Sequence, residues 1–347
     1  MTLLEVKDLH VSFRTDDGIV MAVRGVSFGV EPGQTLGIVG ESGSGKSVST
    51  QTIMGLTRGA TVTGQALFNG RDLLTMTKQE LAEVRGAQIG MIFQDPLSSL
   101  HPFYRVGWQI VEMLRLHDRQ LSKAAARKRA VELLGLVGIP QPDRRLDDYP
   151  HQFSGGMRQR AMIAMAMAND PALLIADEPT TALDVTVQAQ VLRMISRLQR
   201  EFGTAVILIT HDLGVIADVA DDVVVMYGGM VMERADQLTI FRSFHHPYTE
   251  GLLQALPAYG GERRRLRAIP GTPPSPINVP PGCPFAARCP YAMDRCRTEL
   301  PPLEVAGEAP GHMSRCWLPH NTAARQELRA RLDQSPPACA AGRLAQA

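Results

Sequence analysis

The chain has 347 residues, of which 44% are hydrophobic and 20% are charged, and its formal net charge is +1. This composition is ordinary for a globular protein of about two domains, and the near-neutral charge argues against a nucleic-acid binder, which needs a basic face. The N-terminus alternates polar and apolar residues and lacks the layout of a signal peptide. No apolar run approaches the ~20 residues of a membrane span. We therefore expect a cytosolic chain whose membrane role, if it has one, depends on partners.

Alternating apolar residues predict an antiparallel strand pair at the N-terminus. The two strands cover residues 3–13 and 20–30, and the turn between them is Asp16-Asp17-Gly18. Phe13 ends the first strand. Further along, a strand is predicted over residues 64–68 and a short helix over residues 81–85.

Between these elements lies a segment that fits the phosphate-loop pattern G-x-x-x-x-G-K-[ST] at every fixed position: Gly40-Glu41-Ser42-Gly43-Ser44-Gly45-Lys46-Ser47. A buried strand is predicted before it, over residues 35–39, and a helix after it, over residues 46–56, which includes Val48. The loop N–H groups and the helix N-terminus would bind nucleotide phosphates. Lys46 would hold the β and γ phosphates, and Ser47 would ligate Mg²⁺. Phe13 could then present an aromatic face to adenine, or it could simply pack in the core.

The middle of the chain predicts a strand followed by a helical insertion. Residues 88–94 are predicted to form a strand that ends in Gln94, residues 95–100 form a loop, and residues 101–168 lose β character. Ser122 can cap a helix that ends near Gly138 and Pro140; its apolar positions are Ala130, Leu133, Leu134 and Val137. The basic residues of this helix fit a solvated face better than a nucleic-acid patch; they are Lys123, Arg127, Lys128 and Arg129.

Ser154, Gly155 and Gly156 precede a helix that we predict to begin near Met157. The exposed N–H groups of such a turn can bind an anion, although serine-glycine turns are also common at helix starts without any ligand.

Two carboxylates, Asp177 and Glu178, end a continuous apolar strand that begins at residue 173. Paired acids in this position are costly unless they serve a metal or a reaction. Asp177 suits a magnesium shell, and Glu178 suits a general base that polarises an attacking water. A further apolar strand, residues 205–210, leads into His211. Because ligands bind where the ends of parallel strands meet, we expect Gln94, the two carboxylates and His211 to converge.

These motifs and Ala182-Leu183-Asp184 occur in the order found in ATP-binding cassette ATPases, which residues 1–255 resemble. The resemblance implies a RecA-like α/β core with an antiparallel β flank and a helical subdomain at about residues 95–168. It also implies that two cassettes close face to face around two ATP molecules, and that hydrolysis of the ATP releases the cassettes from each other.

The same resemblance implies roles for individual residues. Phe13 would stack on adenine, Gln94 would sense magnesium and water, and His211 would contact the γ-phosphate. Asp184 would lie in the loop that crosses the dimer interface, and the turn at 154–156 would cap the γ-phosphate held by the partner cassette. Met157 departs from the commonest signature, which has glutamine there.

Within this family, residues 153–160 and 94–100 resemble the dipeptide, oligopeptide and nickel importer group, and residues 246–250 and 269–274 resemble its C-terminal extension. The resemblance implies an ATPase on the cytoplasmic face of the inner membrane, paired with a second, related ATPase beneath two permease subunits. An extracytoplasmic binding protein would deliver the ligand; peptide, nickel and glutathione-type ligands all remain open. The alternative class is a soluble cassette protein of translation or DNA repair, but the spacing between Ser47 and Ser154 leaves no room for a long coiled coil.

All five cysteines lie at or beyond residue 283. Four of them fall in the Pro/Cys-rich extension at residues 256–320; they are Cys283, Cys289, Cys296 and Cys316. The region that holds them has only about 35 residues, which is too few to bury a core, so it would gain from a cross-link. Four thiolates could hold Zn²⁺ or a [4Fe–4S] cluster, and zinc favours ligand pairs two to four residues apart, which are missing here. The importer group's extension resembles a cluster-binding segment, so we expect a cluster, with zinc and free or disulfide-bonded cysteines as alternatives. Cys339 lies in a tail, residues 321–347, that we predict to be disordered.

Overall fold

The computed structural model describes residues 2–95, 99–181, 183–256 and 268–318. The predicted tail at 321–347, with Cys339, lies outside these ranges. The chain divides into two compact units, the first formed by residues 30–34 and 75–209 and the second by residues 2–29, 35–74 and the chain from 210 onward. Within the described ranges, no helix combines the length and the apolar character needed to cross a membrane.

The strands, in chain order, are β1 (Leu4–Thr15), β2 (Gly18–Val30), β3 (Thr35–Val39), β4 (Ala60–Phe68), β5 (Arg71–Asp72), β6 (Ile89–Ile92), β7 (Leu173–Asp177), β8 (Ala205–Thr210), β9 (Asp222–Tyr227), β10 (Met230–Asp236), β11 (Glu304–Val305) and β12 (Met313–Ser314). The α-helices are α1 (Lys46–Ile53), α2 (Lys78–Val84), α3 (Val106–His117), α4 (Lys123–Leu136), α5 (Pro142–Arg145), α6 (Gly155–Ala166), α7 (Val185–Phe202), α8 (Leu213–Val219), α9 (Gln237–Arg242), α10 (Pro247–Gln254) and α11 (Asp294–Thr298).

The first unit contains a parallel arrangement of β6, β7 and β8, with β7 in the middle. Ala176 pairs with Ile92 on one side and Leu208 on the other, so these strands end at the same edge. Every residue of β7 is buried. This agrees with the continuous apolar runs that predicted buried strands here, because parallel strands covered on both faces have no solvated side.

Helices α3, α4 and α6 pack together in the same unit and form the predicted helical insertion. Ser122 caps α4 as predicted, its Oγ accepting the N–H of Ala125 at 3.1 Å. The apolar positions Ala130 and Leu134 of α4 are fully buried. On the opposite side, Arg127 forms an ion pair with Asp147, so the basic run is a solvated face.

The second unit contains an antiparallel sheet in the order β2-β1-β4-β5, which is the predicted β flank. A second set of strands follows the order β11-β12-β10-β9-β3. Here β3 runs parallel to β9, and β9 and β10 form an antiparallel pair. The C-terminal extension contributes β12, which pairs with β10 through Glu233 and Ser314. The fold is therefore the α/β core with antiparallel flank and helical insertion that the sequence predicts.

Two helices begin earlier than predicted, because side-chain caps determine their starts. Helix α2 begins at Lys78 rather than near residue 81, since Thr77 and Glu80 form a reciprocal capping box. Helix α6 begins at Gly155 rather than near Met157, since the Ser154 Oγ accepts the N–H of Met157 at 3.3 Å.

Gly90 sets the close approach of β6 to α6, since a Cβ at this position would overlap the backbone oxygen of Ala166. We expect Gly90→Ala to lower the free energy of unfolding by about 1–3 kcal/mol, because the clash is with backbone and cannot be relieved by a rotamer change. The matched control is Gly135→Ala in α4, where the added Cβ meets only Pro142 Cγ at 4.0 Å among the described residues. This substitution should stabilise the helix by up to about 1 kcal/mol, because alanine has the higher helix propensity. Denaturant unfolding of both variants checks this; equal midpoints would contradict it.

Candidate functional site

The phosphate loop, residues 40–47, lies between β3 and α1 in the second unit, in the predicted setting. Two of its glycines are required by close backbone contacts. A Cβ on Gly40 would overlap the backbone oxygen of Met226 in β9, and one on Gly45, whose φ is +94°, would overlap that of Ala22 in β2. The path of the loop is thus determined by the strands on either side of it.

Lys46, the first residue of α1, is 4% exposed. Its ammonium group donates to the carbonyl oxygens of Gly40 at 2.6 Å and Glu41 at 2.9 Å. The charge therefore sits inside the curve of the loop, where a bound phosphate would lie. Ser42 and Gly43 are exposed at the tip of the loop, Ser44 is buried, and Ser47 and Val48 are partly exposed in the first turn of α1.

Glu178 directly follows β7 in the first unit, and two side chains donate to the same carboxylate oxygen. The amide of Gln94 lies 3.2 Å from Glu178 Oε2, and the hydroxyl of Thr181 lies 2.8 Å from it. The Glu178 N–H donates to Ile209 O at 3.0 Å. Gln94 therefore meets Glu178, one of the two predicted carboxylates, and the Glu178 carboxylate has a defined orientation.

The backbone of Glu178 has a φ of +47°, in the left-handed region that residues other than glycine rarely adopt. Such conformations cluster at functional sites, where the surrounding structure holds them. Asp177, one residue earlier, is only 2% exposed at the end of β7. The two acids thus differ in setting: Asp177 is buried in the strand end, whereas Glu178 turns out of the strand and is partly exposed.

Two residues of this site were missed by the sequence reasoning. Thr181 holds the Glu178 carboxylate, and Gln159 of α6 donates from its side chain to the carbonyl of Pro179. Gln159 is 3% exposed, so it connects α6 directly to the segment that carries Glu178. Gln159 has no local signal, because its partner lies 20 residues further along the chain. Thr181 lies only three residues after Glu178, a local spacing that the sequence reasoning did not use.

The turn at 154–156 begins α6 and is open to solvent at Ser154 and Gly155. Among the described residues, a Cβ on Gly155 would meet nothing within 4 Å, and one on Gly156 would meet only Val187 at 3.5 Å. Packing within the described chain therefore does not require glycine at either position. The first N–H groups of the helix remain directed outward, as an anion site needs, while the Met157 N–H is taken by the Ser154 cap.

Asp184 caps helix α7, its Oδ1 accepting the Val187 N–H at 3.0 Å. The next residue, Val185, is 83% exposed. Phe13 lies near the end of β1, paired with Ala60 of β4, and is only partly exposed. His211 follows β8 directly and is exposed. His211 belongs to the second unit, whereas Gln94 and the two carboxylates belong to the first. The predicted convergence of His211 with them therefore stays a prediction.

The C-terminal extension brings the four predicted cysteines around a single pocket. They share its walls with apolar side chains that include Phe285 and Trp317, and all four are free thiols. The pKa of Cys283 is raised to about 12, mainly by burial and additionally by the charges of the other three cysteines. Among the described residues, no group of three or more His, Cys, Asp or Glu side chains is arranged to hold a metal ion.

Comparison with known proteins covers both parts of the chain. Residues 23–181 match the family model described as ABC transporter, and residues 232–296 match the model described as Oligopeptide/dipeptide transporter, C-terminal region. The oligopeptide transport ATP-binding protein OppD of Bacillus subtilis is 53% identical over 94% of this chain and 91% of its own length. The dipeptide transport ATP-binding protein DppD of the same organism is 52% identical, over 91% of this chain and 94% of its own.

Among solved structures, the ATP-binding cassette MJ0796, a dimer bound to ADP and Pi in a post-hydrolysis state, aligns with a TM-score of 0.62 at 28% identity. The alignment covers 67% of this chain and 98% of that one. The order of the motifs, the phosphate loop and the held carboxylate agree with these matches. The chain belongs to the ATP-binding cassette transporter ATPases, in the group that carries the oligopeptide and dipeptide type of C-terminal region.

Proposed function

We propose that this chain is the ATP-hydrolysing subunit of a transporter that imports oligopeptides or dipeptides across the cytoplasmic membrane. The observation that carries the proposal is that both family matches lie along one chain, in which Gln94 and Thr181 orient Glu178 at the end of a buried strand. The relatives named above are ATP-binding proteins of oligopeptide and dipeptide transport.

The phosphate loop binds the triphosphate in this proposal. Lys46 exchanges loop carbonyls for the β and γ phosphates, and the N–H groups of the loop and of α1 supply further donors. Ser47 and Asp177 would hold Mg²⁺, and the ion would neutralise charge on the phosphates. Phe13 stacks on adenine, and His211 contacts the γ-phosphate.

Glu178 acts as the general base. Its carboxylate polarises the attacking water, while Gln94 and Thr181 hold it in place by donating to one oxygen. Such positioning supplies much of the rate enhancement in phosphoryl transfer, because the enzyme does little covalent chemistry.

A second cassette completes the enzyme. The open turn at 154–156 caps the γ-phosphate held by the partner. Among the described residues, no atom lies within 4 Å of where a Cβ on Gly155 would be, so there is space for that phosphate. The exposed Val185 beside Asp184 supplies apolar surface to the same interface. ATP thus acts as the link between cassettes, and hydrolysis separates them.

The assembly that we propose contains a second, related ATPase, two membrane permease subunits and an extracytoplasmic peptide-binding protein. The chain lies on the cytoplasmic face of the inner membrane and is held there by the permeases. Closure of the cassette pair is transmitted to the permeases, which alternate their access to the two sides.

We further propose that the four cysteines of the pocket hold a [4Fe–4S] cluster. A cluster spreads its thiolates over four iron atoms and so needs wider sulfur spacing than a single zinc ion, which draws each sulfur to ~2.3 Å. The four cysteines that line one pocket support the proposal. When bound, the cluster supplies a cross-link between segments of the extension. Because the pKa of Cys283 is raised, loading must displace its proton.

We expect Glu178→Gln to reduce ATP turnover by at least ~100-fold, because the amide cannot accept a proton from water. ATP binding should persist, since Glu178 is not among the phosphate-binding groups. Steady-state ATPase rates and ATP binding by calorimetry check both parts. The control is Glu201→Gln, which removes an exposed carboxylate from α7 of the same unit and should leave turnover unchanged. Near-normal hydrolysis in Glu178→Gln would remove this residue as the base.

Thr181→Val should lower kcat by about 3-fold to 10-fold, since losing one neutral hydrogen bond costs about 0.5–1.5 kcal/mol. The KM for ATP should change little, because the hydroxyl orients the base and does not bind the phosphates. Thr181→Ser, which keeps the hydroxyl, is the matched control and should restore most of kcat. An equal loss in both variants would show that the methyl group, and not the hydrogen bond, matters.

Anaerobic purification should yield about four iron atoms and four acid-labile sulfides per chain. Cys289→Ser should lose both, together with the visible absorbance of the cluster, while Cys339→Ser, outside the proposed ligand set, should retain them. One zinc atom per chain in the unaltered protein, without iron or sulfide, would contradict the cluster and indicate a structural zinc site instead.

A further inference from the structure

The C-terminal extension contacts the phosphate loop through Arg288. Its guanidinium pairs with the Glu41 carboxylate in a bidentate arrangement, with Nη1 to Oε2 at 2.6 Å and Nη2 to Oε1 at 3.1 Å. The Arg288 side chain is 6% exposed and that of Glu41 is 26% exposed. Both residues belong to the second unit. This ion pair joins residue 288 of the extension to the second residue of the loop that we propose to bind ATP.

All five N–H donors of Arg288 have acceptors. Besides the two bonds to Glu41, Nη1 donates to the Tyr227 hydroxyl at 3.1 Å, Nε to the Pro270 carbonyl at 2.8 Å, and Nη2 to the Ile269 carbonyl at 3.2 Å. A buried guanidinium is costly unless it is paired and hydrogen-bonded throughout. Arg288 meets that condition, and its position is therefore closely determined by the surrounding structure.

Three side chains hold Glu41, in addition to the Ser44 N–H, which donates to the Glu41 carbonyl at 3.2 Å. The Glu41 carboxylate accepts from Arg288, its N–H donates to the Tyr248 hydroxyl at 2.8 Å, and its carbonyl accepts from Lys46 at 2.9 Å. Tyr248 lies on α10 and is fully buried. When Lys46 turns to a phosphate, its bond to Glu41 is given up, and the two side chains that still hold Glu41 both come from residues beyond 246.

We propose that Arg288 is a positioning residue for ATP binding, which acts through Glu41 on the phosphate loop. The proposal rests on the ATPase function proposed above. Arg288 does two things: it keeps the entrance of the loop in its phosphate-binding shape, and it neutralises a carboxylate next to the site of a highly charged anion. Without the guanidinium, the Glu41 charge is left uncompensated and repels the triphosphate.

Arg288→Gln in the full chain should raise the Kd of ATP and the KM of hydrolysis about tenfold, as expected for loss of a charge-assisted pair. The kcat should stay within about twofold, because the base and its donors are untouched. Arg288→Lys should give an intermediate Kd, since lysine keeps the charge but not the planar fork. The control is Arg297→Gln, an exposed arginine that also adjoins a cysteine of the extension, which should leave Kd and KM unchanged.

A double-mutant cycle tests whether Glu41 carries the effect. In a Glu41→Gln background, Arg288→Gln should change the Kd by less than about twofold. An unchanged Kd in Arg288→Gln alone, or the same tenfold change in both backgrounds, would overturn the proposal. If Arg288→Gln fails to fold, Arg288→Lys replaces it in the cycle. The Kd of ATP is then compared between Arg288→Lys alone and Arg288→Lys in the Glu41→Gln background, and an equal change in both would overturn the proposal. Because Kd is measured without turnover, loss of ATP hydrolysis in the unaltered chain would count against the proposed function alone.

Discussion

The phosphate loop depends on two places where backbone meets backbone with no space for a side chain. Gly40 lies against the Met226 carbonyl of β9, and Gly45 lies against the Ala22 carbonyl of β2. Both contacts are formed by the chain itself, so the curvature that receives a phosphate is built into the second unit. The buried position of Lys46 and the three anchors of Glu41 follow from that curvature, because each needs the loop carbonyls and N–H groups to face inward.

Much of this arrangement can be read from local sequence. Strands β3 and β8 have the predicted bounds because each is an apolar run with polar residues at both ends, and buried parallel strands tolerate no polar interior. The pairing of Gln94 with Glu178 follows in the same way, because the parallel strands β6 and β7 end at the same edge of the sheet. The errors at the starts of α2 and α6 were avoidable, since Thr77 with Glu80 and Ser154 with Met157 are local capping patterns.

Other features have no local signal. Arg288 and Glu41 are 247 positions apart, and an arginine between two cysteines suggests a surface residue until the fold places it. Gln159 likewise acquires its role from a partner 20 positions away, whereas the partner of Thr181 is only three positions away. The left-handed backbone of Glu178 is a further case, because sequence preferences disfavour that conformation for glutamate and only the surrounding hydrogen bonds maintain it.

The short strands of the extension have a consequence for solubility. Strand β12 pairs with the outer side of β10, and β11 covers β12 with only two residues, both exposed. A long open strand edge is a template for intermolecular pairing, and very short edge strands are one way in which proteins prevent it. A chain cut between the cassette and the extension would expose the part of the β10 edge around Glu233 and Arg234 that β12 covers. We expect copies of such a shortened chain to pair edge to edge more readily than copies of the full chain.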